Sequence, residues 1–273
     1  LFPYTTLFRS HFHYGYFIRA AGELARRDPA WAAADRWGGM VRLLIRDIAS
    51  PDRGDALFPF LRCFDPYAGH SWASGHGKFG DGNNNESSSE AANAWFGVML
   101  FGQAVGDRAL RDLGAWLYTT EIAAIEDYWF DVRGELFPRD YPASVVTMVW
   151  GGKGANGTWF SANPEAVHGI NWLPVTGGSL YLGRWPEYAR KNYDALVREN
   201  LAVELEMDVA EEEIAVLHAA ILDGDEFPLL LAEVFHRLVN VLVGDVDLAR
   251  RDADRGVVAE RHRRPQQIGR AHV

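Results

Sequence analysis

Apolar residues recur at helical spacing through most of the first two hundred positions. One run, 12–27, stops at Asp28-Pro29, and a second, 30–48, follows at once and stops before Pro51. The pattern returns as 86–105 and 109–130, meeting at Gly106-Asp107, and as 164–183 and 186–200, meeting at Arg184. Each pair is joined by a short connection of the kind that links antiparallel neighbours. The chain is therefore expected to be all-α, with about three helical hairpins, half of a six-hairpin (α/α)6 toroid.

Between the hairpins the polar pattern changes character. Segments 51–85 and 134–163 are long, and both are rich in Gly, Trp, Tyr and Asp. Structureless loops of that length are functional or disordered, and this aromatic density argues against disorder. They are expected to build a site.

Composition divides the chain further. All ten Trp and all ten Tyr precede residue 200, whereas 201–273 contains only Phe227 and Phe235 as aromatics. The chain has only Lys78, Lys153 and Lys191 against many Arg, as a GC-rich gene would give. Two readings of 201–273 stay open: the product of a shifted frame, or an acidic helical segment, since apolar residues recur at helical spacing in LAVELEMDVAEEEIAVLHAAILDG. At the ends, YTTLFRS (4–10) and IGRAHV (268–273) read as translations of sequencing-adapter DNA, and such scars are excluded from fold reasoning. The expected organisation is a scar at 1–10, a partial helical domain at 11–200, and a tail of doubtful origin at 201–273.

With 273 residues and 48% hydrophobic content the chain can bury one large core or two modest ones. A net charge of −10 disfavours nucleic acid or an anionic membrane as partner. No apolar run reaches the roughly 20 residues of a membrane helix, and the first ten residues lack the pattern of a signal peptide. Cys63 stands alone, so neither an intrachain disulfide nor a cysteine-based zinc site is expected. Oligomeric state is not legible.

The sharpest chemical signal is GNNNESSSEAANAWFGVML, 82–100. Asn83, Asn84 and Asn85 are good helix caps, and Glu86 and Glu90 stand four apart, on one helix face with Cβ atoms about 6 Å apart. Such a pair could be tuned for proton transfer, or could simply complement the helix dipole in its first turn. HFHYGYF (11–17) also reads two ways. His11 and His13 are too close in sequence to share a helix face, so no metal site is expected; His13, Tyr14, Tyr16 and Phe17 could be core, or could line a sugar site. Trp72, Trp150 and Trp159 among loop glycines could plug small cores, or, near Asp65 and His70, could stack on pyranose faces. GGKGANGTW lacks the Lys-Ser/Thr of a nucleotide loop.

Four ordered segments, HFHYGYFIRAA, FPFLRCFDPYAGHSWASG, GNNNESSSEAANAWFG and NPEAVHGINWLPVTGGSLYLG, resemble glycoside hydrolase family 81, the endo-β-1,3-glucanases or laminarinases. The resemblance runs from His11 to about Asn200. It implies the catalytic (α/α)6 region of a secreted enzyme that acts on β-1,3-glucan by inversion, without metal or organic cofactor. It also implies that Glu86 is the general base, that Glu90 is its nearby second carboxylate, and that His13 is the last His of the motif Asp-His-His-Phe-His-Tyr-Gly. His13, Tyr16, Asp65, His70, Trp72 and Trp150 are the expected substrate contacts.

One departure matters. The motif's Asp, the family's proposed general acid, falls where this chain has Arg9, followed by Ser10 instead of His. Arginine stays protonated and cannot deliver a proton as a carboxylic acid does, so the chain as written is expected to have little hydrolytic activity. Two rivals remain: a non-catalytic β-glucan-binding module, and another toroid enzyme such as a polysaccharide lyase.

Overall fold

The computed structural model describes residues 10–73 and 79–203. Arg9 and nearly all of the expected tail, including the adapter-like end, lie outside the described residues.

Helix α1 (Ser10–Arg27) buries Phe12, Gly15, Ile18, Ala21, Gly22 and Ala25 along one stripe, the spacing that predicts it. Helix α2 (Trp37–Ala49) is shorter than the expected 30–48 run. Residues 29–36 form turns instead, with the Asp28 carboxylate accepting from the Trp31 amide. Helix α3 (Ser88–Ala104) is buried on every side, from Ser88 and Ala91 through Trp95 and Val98 to Phe101. A helix apolar all round belongs inside a larger assembly of helices. Helix α4 (Arg108–Ala124) is capped by Asp107, whose carboxylate accepts from the Leu110 amide, and continues as a π-turn, Ile125–Trp129.

The close approaches set the arrangement. A Cβ placed on Gly15 would lie 2.7 Å from the Ala94 Cβ, and Gly97 faces the backbone of Arg19, so α1 and α3 ascend together. Gly114 faces Met99, and Gly102 faces Arg111, so α4 runs back against α3. Alternate helices running parallel, each reached through a returning helix, is the order of an αα-toroid. The helical class expected from the pattern is observed.

The expected helix 164–183 is two pieces. Helix α5 (Pro164–Gly169) ends early, and a 3₁₀ segment, Gly177–Arg184, follows Pro174. Proline lacks the N–H that the next turn needs, and its ring disfavours the helical state of the residue before it. Helix α6 (Pro186–Val203) then begins with proline in its first position, where the missing N–H costs nothing.

The long loops carry short strands. β1 (Phe64–Asp65) pairs antiparallel with β2 (His70–Ser71), and β3 (Asn84–Asn85) pairs with β4 (Met148–Trp150), which pairs with β5 (Gly154–Ala155). Two cores form. One gathers Ile18, Ile45, Ile48, Phe64, Trp95, Val98, Phe101 and Leu117; the other gathers Ile122, Ile125, Trp129, Phe130, Val145, Trp172 and Tyr188. Among the described residues no helix is long and apolar enough to cross a membrane.

Candidate active site

The site forms where the loop strands meet the start of α3. The expectation that Glu86 and Glu90 share one helix face is not met. Asn84 and Asn85 are strand β3 rather than helix caps, α3 starts at Ser88, and Glu86 lies in the connection between them. Pairing of Asn84 with Trp150 and of Asn85 with Val149 holds the chain extended and delays the helix.

Glu86 is buried, at 1% exposure, and its Oε1 accepts from the Trp159 amide at 2.9 Å. The residues after it are anchored by side chains. Ser88 donates through both its amide and its hydroxyl to Asn171 Oδ1, at 3.0 and 2.8 Å. The Ser87 hydroxyl donates to the Ile170 carbonyl, and Asn171 in turn donates to the Thr147 carbonyl. The triple-serine run is thus a docking strip against 170–171, a role that its sequence does not announce.

Glu90 is half-buried in the first turn of α3, and its Oε1 accepts from the Tyr16 hydroxyl at 3.0 Å. Burial, followed by the Glu90 charge and this hydrogen bond, raises the Tyr16 phenol well above its ordinary range. Tyr16 is therefore a neutral donor, still 43% exposed. His13, one turn earlier on α1, is exposed, which removes the core reading for it. His11 is the buried one. Its ring stacks on Trp95 at 5.6 Å, neither ring nitrogen has a hydrogen-bond partner among the described residues, and burial, then nearby Arg62 and His13, lowers its pKa to about 3.

Asp65, His70 and Trp72 form one cluster because β1 and β2 set Asp65 opposite His70. Burial would raise the Asp65 carboxyl, but hydrogen bonds from Trp72 Nε1 and from the amides of Tyr67 and Ala68 outweigh it and hold the pKa low. His70 packs edge-on against Trp72 and Trp129, and burial lowers its pKa, so it is neutral near pH 7. Trp150 meets Trp159 at 5.6 Å between ring centres, and Trp159 is 53% exposed. A cleft of about 530 Å³ runs alongside, lined by Tyr128, Leu136, Phe137, Tyr141, Val149 and Trp150. Aromatic walls with convergent polar groups are the features of a ligand cleft.

One buried acid beside the site escapes the sequence reading. Glu121 is fully buried, and its carboxylate accepts from the Ser71 amide and hydroxyl at 2.9 and 2.7 Å and from Trp95 Nε1 at 2.7 Å. Burial, against these hydrogen bonds, pushes its pKa up to about 7. The signal was present: Glu121 stands in the buried stripe of α4 that includes Gly114, Leu117 and Ile122, where an acid is out of place.

Fold and site together define an αα-toroid segment, with acids gathered at one helix start and aromatics on the loops. The profile described as glycosyl hydrolase family 81 C-terminal domain matches residues 3–226. The chain belongs to that family. It is 56% identical over 189 residues to a glucan endo-1,3-beta-D-glucosidase of Acetivibrio thermocellus, covering 69% of this chain and 24% of the relative. A glucan endo-1,3-beta-D-glucosidase of Thermobifida fusca is 50% identical over 186 residues, again with 24% of the relative covered. A solved glycoside hydrolase family 81 protein from Clostridium thermocellum, in mutant form, superposes with a TM-score of 0.74 at 49% identity, over 78% of this chain and 30% of that one. The chain spans about a quarter of the length of these curated relatives.

Proposed function

We propose that this chain carries part of the β-1,3-glucan site of an endo-acting, inverting glucanase, with the general acid missing. The observation that supports the reading best is the placement of Glu86. It is a buried carboxylate held by the Trp159 amide, between an anchored strand and an anchored helix start, and bordered by the exposed indole of Trp159. The relatives named above as glucan endo-1,3-beta-D-glucosidases give the substrate class.

In this reading Glu86 takes a proton from water as the water attacks the anomeric carbon. The Trp159 amide keeps its carboxylate from rotating away. Glu90, with Tyr16 donating to it, is the second carboxylate and binds sugar hydroxyls. His13 lies on the same helix, and Trp72 and Trp150 supply ring faces for pyranose C–H surfaces. Asp65, ionised and steadied by three donors, together with His70 holds Trp72 in place. Inversion needs an acid opposite the base, with the two carboxyls roughly 6.5 to 9.5 Å apart. Arg9 stands at that position of the motif and cannot serve. Because the polymer is a wall and storage glucan, the place of action we propose is outside the cell.

The test is restoration. Replacing Arg9→Asp together with Ser10→His is expected to raise hydrolysis of laminari-oligosaccharides by about 10²- to 10⁴-fold, the usual worth of general-acid assistance. Proton NMR of the first product should show the inverted anomer, and adding Glu86→Gln should remove the gain. A folded, glucan-binding double variant that gains nothing would refute the assignment of the acid. A chain that binds β-1,3-glucan but never hydrolyses it, even when restored, would be a binding module.

A further inference from the structure

Glu121 takes no part in the chemistry just described, yet its carboxylate ties together three separate pieces of the site. Ser71 belongs to β2, Trp95 to α3, and Asn85, whose Nδ2 also approaches Glu121 Oε1 at 3.4 Å, to β3. Asn85 additionally donates to the Ser71 carbonyl at 2.9 Å and to its hydroxyl at 3.2 Å. The residue after Asn85 is Glu86, and Trp95 shares its helix with Glu90.

We propose that Glu121 is the positioning residue of this site: its buried carboxylate fixes the Ser71–Asn85 pair and Trp95, and through them sets where the Glu86 carboxylate lies. The geometry requires an acceptor at both oxygens. Oε2 receives two N–H donors, from the Ser71 amide and the Trp95 indole, and neither donor can turn to accept. Oε1 receives the Ser71 hydroxyl, which itself accepts from Asn85. An ionised carboxylate completes this set; a proton on Oε1 must displace the Ser71 hydroxyl hydrogen and so loosens the link to Asn85.

Among the described residues, the groups that face Glu121 supply no opposing cation. His11 stacks on the Trp95 indole, His70 neighbours Ser71, and Cys63 and Tyr181 are buried close by. Both histidines are held neutral by burial, and burial raises the thiol and the phenol, so none of the four carries charge at pH 7. Hydrogen bonds alone oppose desolvation of this carboxylate, and its proton occupancy near neutrality reports whether the network is closed. The proposal rests on the reading of Glu86 as a site acid only for its meaning; the coupling itself concerns the position of Glu86 whatever that residue does.

The experiment is a pH series of ¹⁵N–¹H spectra on the full chain without ligand. Two probes are followed: the Trp95 indole N–H, identified by its loss in Trp95→Phe, and the Trp159 backbone amide that bonds Glu86. We expect both to shift with one common midpoint near neutral pH. Glu121→Gln should abolish that midpoint at both probes, because a side-chain amide has no proton to titrate in this range, and Glu121→Asp should restore a shared, displaced midpoint. If Trp95 titrates while Trp159 stays still, or if Trp159 keeps its midpoint in Glu121→Gln, the proposal is wrong. Should the Gln variant not fold, the common or separate midpoints of the unmutated chain and of the Asp variant decide it. Binding of laminari-oligosaccharides is measured separately, and its absence would count against the proposed function and leave the coupling standing.

Discussion

Two buried titratable residues in contact with Trp95 pull stability in opposite directions with pH. His11 has its folded pKa depressed to about 3, so the unfolded chain binds more protons below about pH 6.5 and stability falls as pH falls. Glu121 has its folded pKa raised to about 7, so between about pH 4.5 and 7 the folded chain binds more protons and stability falls as pH rises. From pH 4.5 to 6.5 the two slopes, each up to about 1.4 kcal/mol per pH unit, largely offset one another. His11→Phe, which gives up no ring hydrogen bond, should expose the Glu121 slope, so that urea unfolding shows stability falling from pH 4.5 to 7. Glu121→Gln should expose the opposite slope. Parallel curves for the two variants would refute both assignments. At this scale the sequence showed Glu86, Glu90, His13, Tyr16 and the loop tryptophans as candidates, because chemistry-bearing types in dense runs are visible. It could not show that His11 rather than His13 is the buried histidine, nor that Asn85 bonds Ser71 and Glu121, since those partners are 14 and 36 residues distant.

Where the helices begin and end follows from contacts that periodicity does not carry. The hairpin turns at Pro29 and Gly106 were legible from proline and glycine. The start of α3 was not, because pairing of β3 with β4 competes with the helix over 84–87. The break at Pro174 was legible in principle; periodicity alone ran through it, and proline chemistry prevailed. Glycine inside helices has a second meaning here that sequence reads only as a cost. At Gly15 an added methyl would meet the Cα and Cβ of Ala94, at 2.9 and 2.7 Å, and both belong to a helix packed on every side. Gly15→Ala must therefore push α1 off α3, and it carries Tyr16 away from Glu90. We expect a loss of about 1–3 kcal/mol, as for other overpacked sites, together with weaker oligosaccharide binding. Gly183→Ala, which meets nothing within 4 Å, is the control and should change neither measurement. Equal effects at the two positions would show that close approach of α1 to α3 is not what Gly15 provides.

The two cores share α3 and α4. Trp95 and Val98 belong to one core and Ala92 to the other; Leu117 belongs to one and Ile122 to the other. Glu121 lies between Leu117 and Ile122, and Glu86 and Glu90 precede and open α3, so the site lies along the seam. On the proposed function, a glucan bound there would touch groups fixed by both cores: Tyr16 and Trp72 from the first half of the chain, Trp150 and Trp159 from the later loop. Binding should then stabilise the whole domain, since a ligand held only by the folded state adds RT ln(1 + [L]/Kd). At a concentration of 100 Kd, laminari-oligosaccharide is expected to add about 2.7 kcal/mol, raising Tm by several degrees. A β-1,4-linked oligosaccharide at equal concentration should leave Tm unchanged. Because this linkage needs only a formed cleft, it holds with Arg9 in place and no hydrolysis at all. Equal shifts with both sugars would mean that the aromatic walls bind pyranose faces without reading the linkage, and the β-1,3 assignment would fall. A shift with neither, in a chain whose circular dichroism shows the helices, would remove the cleft along Tyr128 and Trp150 as the binding face.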